Sequence, residues 1–167
     1  ARQAGIVSLI DAAQSAGHVP LDVQALGADL VAFPGHKGLL GPLGTGVLYV
    51  RPGIEDILPT MKEGGTGTVS EEPRQPSTMP DKYEIGSHNA IGLAGLSEGV
   101  AWLLERGVAT IRRHDEHLCR LFLEITDSVR GLTVYGPRDL RRRAGVFSVA
   151  IEHLDAGDLA DRLEGDY

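Results

Sequence analysis

Residues 11–50 read DAAQSAGHVPLDVQALGADLVAFPGHKGLLGPLGTGVLYV, and they contain the strongest indications of the fold. It holds two short apolar runs, ADLVAF (28–33) and GVLYV (46–50), and a third run, GIVSLID (5–11), leads into it. Nearly continuous apolar runs of this length are typical of strands buried on both faces of a parallel sheet. Because the short helical segment LDVQALGA (21–28) separates two of them, we predict an α/β fold with a mostly parallel sheet.

Two longer helices are predicted further along the chain. Asn89 is suited to cap a helix over AIGLAGLSEGVAWLLERG (90–107), and Gly107 is suited to end it. A second helix, about 108–130, has apolar residues at helical spacing that predict one buried stripe. The members of this stripe are Val108, Ile111, Leu118, Leu121, Phe122, Ile125 and Val129.

The last part of the chain has a different pattern of apolar residues from the first. LTVYG (132–136) and VFSVAIE (146–152) show the alternation of half-exposed strands, and DAGDLADRLEG (155–165) predicts a final helix. We therefore predict a domain boundary near residue 107, which divides the chain into residues 1–107 and 108–167. The Gly- and Pro-rich loop at 62–88 is long enough to suggest a functional role.

Composition excludes several classes of protein. The net charge is −7, which argues against a nucleic-acid partner, and no apolar run approaches the length of a membrane span. Cys119 is the single cysteine, so we expect no disulfide within the chain and a cytoplasmic location. The chain starts without Met and stops soon after a helical pattern, so it looks like an internal fragment of a longer protein.

Three local features are interpreted as structural and not as functional sites. The basic cluster RDLRRR (138–143) is interpreted as a solvated turn. HDEH (114–117) has two histidines with acids between them, which we interpret as a partly exposed helix; no metal site is predicted. Cys119 flanks the predicted apolar stripe and is interpreted as a buried thiol, since a reactive cysteine needs an accessible thiolate.

The candidate chemistry lies where the first two strands end. Asp11 ends the first strand, and Lys37 follows the second by four residues. Ligands of open α/β sheets bind beyond the carboxyl ends of the strands, so Asp11, Gln14, His36 and Lys37 are expected to face one crevice. Taken singly, Asp11 is more often a turn former and Lys37 more often a solvated cation. Together they match a pyridoxal phosphate site, in which a lysine binds the cofactor covalently and an acid pairs with its ring nitrogen.

The order and spacing of these residues carry a family resemblance. Asp-x-x-Gln followed by His-Lys and a Gly-rich tail resembles the cofactor-binding core of class V aminotransferases, most closely their cysteine desulfurase branch. The similarity extends through EGGTGTVSEEPRQPSTMPDKYEIGSHN (63–89). The resemblance implies a fold-type I enzyme that uses pyridoxal 5'-phosphate and forms a homodimer. It also implies that residues 1–107 are the end of the large cofactor-binding domain and residues 108–167 the beginning of the small one.

The resemblance implies a role for each matching residue. Lys37 would bind the cofactor and shuttle a proton, and Asp11 would pair with the pyridinium nitrogen. Gln14 would hydrogen-bond the phenolic oxygen, and Ala13 would lie against one face of the ring. The phosphate would be contacted by His36 and, from the neighbouring subunit, by Ser87.

One position departs from the family pattern. Many relatives have a hydroxyl residue three positions before the lysine, where this chain has Pro34, which offers neither a hydroxyl nor an N–H donor. Neither the substrate-binding arginine nor the sulfur-accepting cysteine of the family can be identified in these residues.

Four functions stay open, and the chain by itself is expected to be an inactive fragment of the enzyme. The leading one is a cysteine desulfurase, which converts L-cysteine to L-alanine and passes the sulfur to an enzyme cysteine and then to an acceptor protein. An aminotransferase or a selenocysteine lyase would use the same cofactor machinery. A non-enzymatic α/β module that binds a phosphorylated ligand would use Lys37 only as a point charge.

Overall fold

The computed structural model describes residues 1–65 and 71–166. Its first sheet contains three strands, β1 (Leu9–Asp11), β2 (Leu30–Pro34) and β3 (Gly46–Val50), in the order β1-β2-β3. Between β1 and β2 lies the four-residue helix α1 (Val23–Leu26). The side chain of Asp22 accepts hydrogen bonds from two backbone N–H groups at the start of α1, and Gly27 ends it in the left-handed conformation, at φ 61°. The α/β character predicted for residues 1–50 is thus confirmed.

The third strand runs opposite to the second. β1 and β2 are parallel, with Asp11 opposite Ala32, whereas β2 and β3 are antiparallel, with Pro34 opposite Gly46. The connection between β2 and β3 contains no helix, and a parallel crossover would need one or a comparably long segment. The expectation of a mostly parallel sheet therefore does not extend to this pair.

The sheet is covered well on one face only. On that face Val31 packs with Ala12, Ala16 and Ala28 in a small buried core, which Ile10, Val23, Phe33 and Tyr49 flank. On the opposite face Leu9 is 60% exposed and Leu48 is 45% exposed. The prediction that these strands are buried on both faces is therefore wrong for β1 and β3 among the described residues.

Two long helices follow, joined through Gly107 alone. Helix α2 spans Ala90–Arg106, and the side chain of Asn89 caps it by accepting the N–H of Gly92. Helix α3 spans Val108–Asp127. Gly107 has φ 77° and donates its N–H to the carbonyl of Leu103, so it both ends α2 and redirects the chain. The predicted cap and helix end are confirmed.

The buried side of α3 differs from the predicted stripe. Cys119, Leu123 and Thr126 are buried, at positions i, i+4 and i+7. Thr126 is tolerated there because its hydroxyl donates to the carbonyls of Phe122 and Leu123. Ile125, in contrast, is 65% exposed, and the predicted stripe is wrong from Leu118 onward. The prediction that Cys119 is buried is confirmed, at 3% exposure.

A second, two-stranded sheet packs beside α3. Its strands, β4 (Leu132–Val134) and β5 (Val149–Ile151), are antiparallel, and helix α4 (Ala156–Asp166) follows them. Arg143, from the basic cluster, is 7% exposed and donates to the carbonyls of Tyr135 and Pro137 at 2.6 and 2.7 Å. Its guanidinium also lies 4.6 Å from the centre of the Phe147 ring. The solvated-turn interpretation is therefore wrong for Arg143, because the β4–β5 connection leaves backbone carbonyls that this side chain satisfies.

Among residues 1–65 and 71–166, no helix combines the length and the apolar character that a membrane crossing requires.

Candidate functional site

Lys37 lies on a loop that is closed by hydrogen bonds between backbone groups of the loop. Gly35 donates its N–H to the carbonyl of Thr45 at 2.8 Å, and Gly41 donates to the carbonyl of Gly35 at 2.8 Å. Leu40 donates to the carbonyl of Lys37 at 2.9 Å and has φ 60°, a left-handed conformation that is costly for a residue with a side chain. The loop therefore has a defined shape, and it presents His36 and Lys37 as exposed side chains.

Helix α2 supports this loop at positions where a side chain on glycine would be crowded. A Cβ at Gly99 would lie 2.4 Å from the carbonyl oxygen of Leu39, and a Cβ at Gly41 would lie 2.7 Å from Leu96 Cδ1. Gly95 is similarly close to Pro42, with a Cβ distance of 2.8 Å. Because the loop backbone packs directly on the helix, the glycine content of both segments has a steric cause.

The turn after β1 carries the other candidate residues. Ala12 extends the sheet by donating its N–H to the carbonyl of Ala32 at 2.9 Å. The next residue, Ala13, donates its N–H to Asp11 Oδ1 at 2.9 Å, so Asp11 does stabilise a turn. Ala16 then donates to the carbonyl of Ala12 at 2.9 Å, which continues the turn past Gln14.

The turn and the loop touch through two glycines. A Cβ at Gly17 would lie 2.1 Å from the carbonyl oxygen of Gly38, and a Cβ at Gly38 would lie 2.2 Å from the carbonyl oxygen of Ala16. No side chain fits between these backbones. The residue that follows Lys37 is thereby held against the turn that carries Asp11, Ala13 and Gln14.

Within the described part of the chain, Asp11 and Lys37 each have a free functional group. Among residues 1–65 and 71–166, Asp11 Oδ2 has no hydrogen-bond partner, and Lys37 Nζ has neither a hydrogen bond nor an ion pair. Asp11 lines a cavity of about 600 Å³ together with Pro34, Leu48 and Tyr83. A carboxylate and an amine are thus both available to a ligand.

Gln14 faces a second cavity. This cavity has a volume of about 360 Å³ and is also lined by His18, Asp115, Cys119 and Phe147. The expectation that the candidate residues face a single crevice is met only in part. They lie on neighbouring, touching segments, but Asp11 and Gln14 line different cavities.

Ser87 belongs to a third segment. It is exposed and lies two residues before Asn89, the cap of α2. The Asn89 side-chain nitrogen would lie 3.5 Å from a Cβ at Gly44. The segment that contains Ser87 therefore approaches the far end of the Lys37 loop, and the contacts in the described residues do not join Ser87 to Asp11 or Gln14.

Two long-range contacts of helix α3 could not be expected from the sequence. His18 Nδ1 lies 2.9 Å from Asp115 Oδ2, across 97 residues of chain. Arg112, on the same helix, donates to the carbonyl of Arg143 at 2.7 Å. Both partners of each pair have polar side chains in segments with no local signal for pairing, so sequence spacing could not have identified them.

Two buried titratable groups have shifted pKa values with clear physical causes. Asp29, buried at the start of β2, accepts hydrogen bonds from the Ser8 backbone and from Arg51, which lower its pKa to about 2. Burial raises the pKa of the Cys119 thiol. Within the part of the chain that the structure describes, no group of three or more His, Cys, Asp or Glu side chains is arranged to hold a metal ion.

Comparison with known proteins gives a consistent result. The family model described as Aminotransferase class-V matches residues 1–166. A probable cysteine desulfurase from Methanothermobacter thermautotrophicus is 37% identical over 166 residues, which cover 98% of this chain and 41% of that protein. A cysteine desulfurase from Yersinia pseudotuberculosis is 36% identical over 168 residues, which cover 97% of this chain and 40% of that protein.

Solved structures agree with the sequence comparison. The apo structure of a cysteine desulfurase from Thermococcus onnurineus matches with a TM-score of 0.85 and 34% identity, over 99% of this chain and 42% of that one. The chain therefore spans about 40% of the length of the relatives that it matches.

Proposed function

Since this chain belongs to the class V aminotransferase family, we propose that the protein containing it is a pyridoxal phosphate-dependent cysteine desulfurase that converts L-cysteine to L-alanine. The observation that carries the proposal is the exposed Lys37, held on a closed loop against the turn that bears Asp11 and Gln14. The names of the relatives at 36 and 37% identity support the choice of reaction. Because the chain spans about 40% of their length, the activity is proposed for the whole protein.

The residues present fit the cofactor chemically. Pyridoxal phosphate needs an amine for covalent attachment and an acid for its ring nitrogen. In the described residues, Lys37 Nζ is unpaired and exposed, and Asp11 keeps Oδ2 free although Oδ1 accepts the N–H of Ala13. When bound, the cofactor supplies an electron sink for the pair left when a bond to the substrate's α-carbon breaks.

Lys37 and Asp11 have complementary roles in proton handling. Lys37 Nζ would hold the cofactor covalently and would move the proton at the substrate's α-carbon. Asp11 Oδ2 would keep the proton on the ring nitrogen, because a close negative charge favours the protonated form. The closed loop limits the positions that Lys37 can reach, so it would keep the amine near the reacting carbon.

The remaining candidate residues would bind and orient the cofactor. The amide of Gln14 would donate a hydrogen bond to the phenolic oxygen, and the small side chain of Ala13 would leave room for the ring. His36 would contact the phosphate. Ser87 would contact the phosphate of the cofactor in a second subunit, so the proposed protein is a homodimer. Pro34 offers no such contact, so the phosphate depends more on the other groups.

The cysteine that accepts sulfur must have an accessible thiol, and the cysteine of this chain does not. Cys119 is the only cysteine of the chain, is 3% exposed and has a thiol pKa raised by burial. A persulfide carrier needs an accessible thiolate, so we assign that role to a cysteine outside these residues and the next transfer to an acceptor protein.

The proposed domain division follows the sheets. β1, β2 and β3 lie before Gly107, and β4 and β5 lie after it, with no pairing between the two sheets in the described residues. We therefore assign residues 1–107 to the large cofactor-binding domain and residues 108–167 to the start of the small domain. The single, buried cysteine is compatible with a cytoplasmic enzyme.

The proposal is tested with the intact protein that contains these residues. Purified protein is supplied with pyridoxal phosphate, L-cysteine and a reductant, and alanine and sulfide are measured over time. We expect equal amounts of both products, no products from Lys37→Ala, and normal rates from Lys62→Ala, a matched control at another exposed lysine. Transfer of the amino group to a keto acid without sulfide would identify an aminotransferase instead. Preference for selenocysteine would identify a selenocysteine lyase, and cofactor-free binding of a phosphorylated compound would identify a non-enzymatic module.

A further inference from the structure

His18 connects the turn after β1 to helix α3. Its Nδ1 lies 2.9 Å from Asp115 Oδ2, and the two side chains are 42% and 17% exposed, respectively. The contact joins residues on opposite sides of the proposed domain boundary. Because Asp115 is mostly shielded from solvent, its carboxylate needs a polar partner, and His18 is the partner that the structure gives it.

The same imidazole ring also lies against the Lys37 loop. A Cβ at Gly38 would lie 2.6 Å from His18 Cδ2 and 3.0 Å from His18 Nε2. The ring therefore occupies the space beside the residue that follows Lys37. Its backbone is fixed as well, since His18 and Val19 both donate to the carbonyl of Ser15, at 3.0 and 2.8 Å.

Gln14 and His18 share the wall of one cavity. Asp115 and Cys119 of α3 also line this cavity, which has a volume of about 360 Å³. A shift of His18 would change both the shape of this cavity and the support of the loop. One side chain thus lies between α3, the Gln14 turn and the Lys37 loop.

We propose that His18, held by Asp115, is a positioning residue that fixes the Lys37 loop and the Gln14 turn relative to helix α3. It acts through Gly38 and does not touch the reacting atoms. The term positioning residue rests on the proposed function, because it is Lys37 and Gln14 that the contact would position for the cofactor. The first element of this proposal, called the mechanical part, is that His18 fixes the loop, and it does not depend on any cofactor.

Hydrogen exchange of the loop amides tests the mechanical part. We compare His18→Ala, Asp115→Ala and the double variant in the intact protein, with His114→Ala as the control, since His114 is an exposed histidine on the same helix. The amides of Gly35, Leu40 and Gly41 should exchange about tenfold faster in each single variant, as expected for loss of a hydrogen bond to a charged group. The double variant should be no faster than the singles, and the control should match the wild type.

A more conservative variant guards against general unfolding. His18→Asn keeps a donor near the position of Nδ1 but loses the ring beside Gly38, so loop exchange should fall between that of the wild type and that of His18→Ala. Equal acceleration in β1, β2 and the loop would show a merely structural role and overturn the proposal. Unchanged loop exchange, or effects of the two single variants that add up in the double variant, would also overturn it.

Cofactor binding provides the second readout. In both single variants we expect the dissociation constant of pyridoxal phosphate to rise about tenfold, and the absorbance maximum of the bound cofactor to shift, while the control stays unchanged. If the wild type binds no pyridoxal phosphate, the proposed function fails, and the exchange data still decide whether His18 fixes the loop. If loop exchange responds and cofactor binding does not, the positioning role is refuted while the proposed function stands.

Discussion

Replacing Gly17 by alanine should destabilise the protein through two separate effects. Gly17 has φ 84°, and a non-glycine residue in such a left-handed conformation costs about 1–2 kcal/mol. In addition, the new Cβ would lie 2.1 Å from the carbonyl oxygen and 2.4 Å from the carbonyl carbon of Gly38. These are backbone atoms that cannot rotate away, so the overpacking should add about 1–3 kcal/mol.

Gly53→Ala is the matched control for the steric part. Gly53 has φ 90°, similar to Gly17, but nothing lies within 4 Å of the Cβ that alanine would add. Urea unfolding of the intact protein, followed by circular dichroism, gives the free energy of unfolding of each variant. We expect Gly17→Ala to lose about 1–3 kcal/mol more than Gly53→Ala. Equal losses would refute the conclusion that the turn and the Lys37 loop pack backbone against backbone.

Three further predictions concern single titratable groups. The pKa of Asp29 is lowered to about 2 in the folded protein, so its stabilising effect is complete above the unfolded value of about 3.9 and is lost as the pH falls toward 2. The difference in free energy of unfolding between the wild type and Asp29→Asn should therefore shrink between about pH 4 and pH 2, and a constant difference would contradict this. Cys119 should react slowly with iodoacetamide at neutral pH in the folded protein, because the residue is 3% exposed and burial raises the pKa of its thiol. In urea it should react fully. Rapid alkylation of the folded protein would contradict the buried position. Asp11→Asn should retain pyridoxal phosphate but lose most of the turnover of cysteine, and near-normal rates would limit Asp11 to its turn with Ala13.

The parts of the fold that depend on local sequence could be predicted. Asn89 and Gly107 mark the ends of α2 because capping involves backbone groups within a few residues of each cap. The family was recognisable from residues 11–50, since the spacing of Asp11, Gln14 and Lys37 lies within one continuous segment, and the family match over residues 1–166 confirms it.

The parts that depend on distant contacts could not be predicted. Thr126 is buried and Ile125 exposed because of what packs beside α3, and hydrophobicity alone favoured the opposite. Arg143 is buried because the carbonyls of Tyr135 and Pro137 need donors, which no spacing rule reveals. The direction of β3 depended on the path of the loop after β2, and a short apolar run is the same in either direction.

In the candidate site, too, local features could be predicted from the sequence and distant contacts could not. The residue types at Asp11, Gln14 and Lys37 were identifiable, and the contact of Gly17 with Gly38 adds the reason that their segments lie together. The contribution of His18 was not identifiable, because its partner Asp115 is 97 residues away. The roles of Asp11, Gln14 and Lys37 stay predictions from the sequence, and the contacts that support their segments are seen only in the structure.

The lysine that binds the cofactor can be identified by covalent labelling. The intact protein is loaded with pyridoxal phosphate, reduced with borohydride, digested and mapped by mass spectrometry. Lys37 should carry the pyridoxyl group, because its amine is exposed and unpaired in the described residues. Lys82 should stay unlabelled, since its amine donates to the carbonyl of Glu55 and lies 5.4 Å from the centre of the Tyr83 ring. Label on Lys82 or Lys62, with none on Lys37, would show that Lys37 is not the lysine that binds the cofactor.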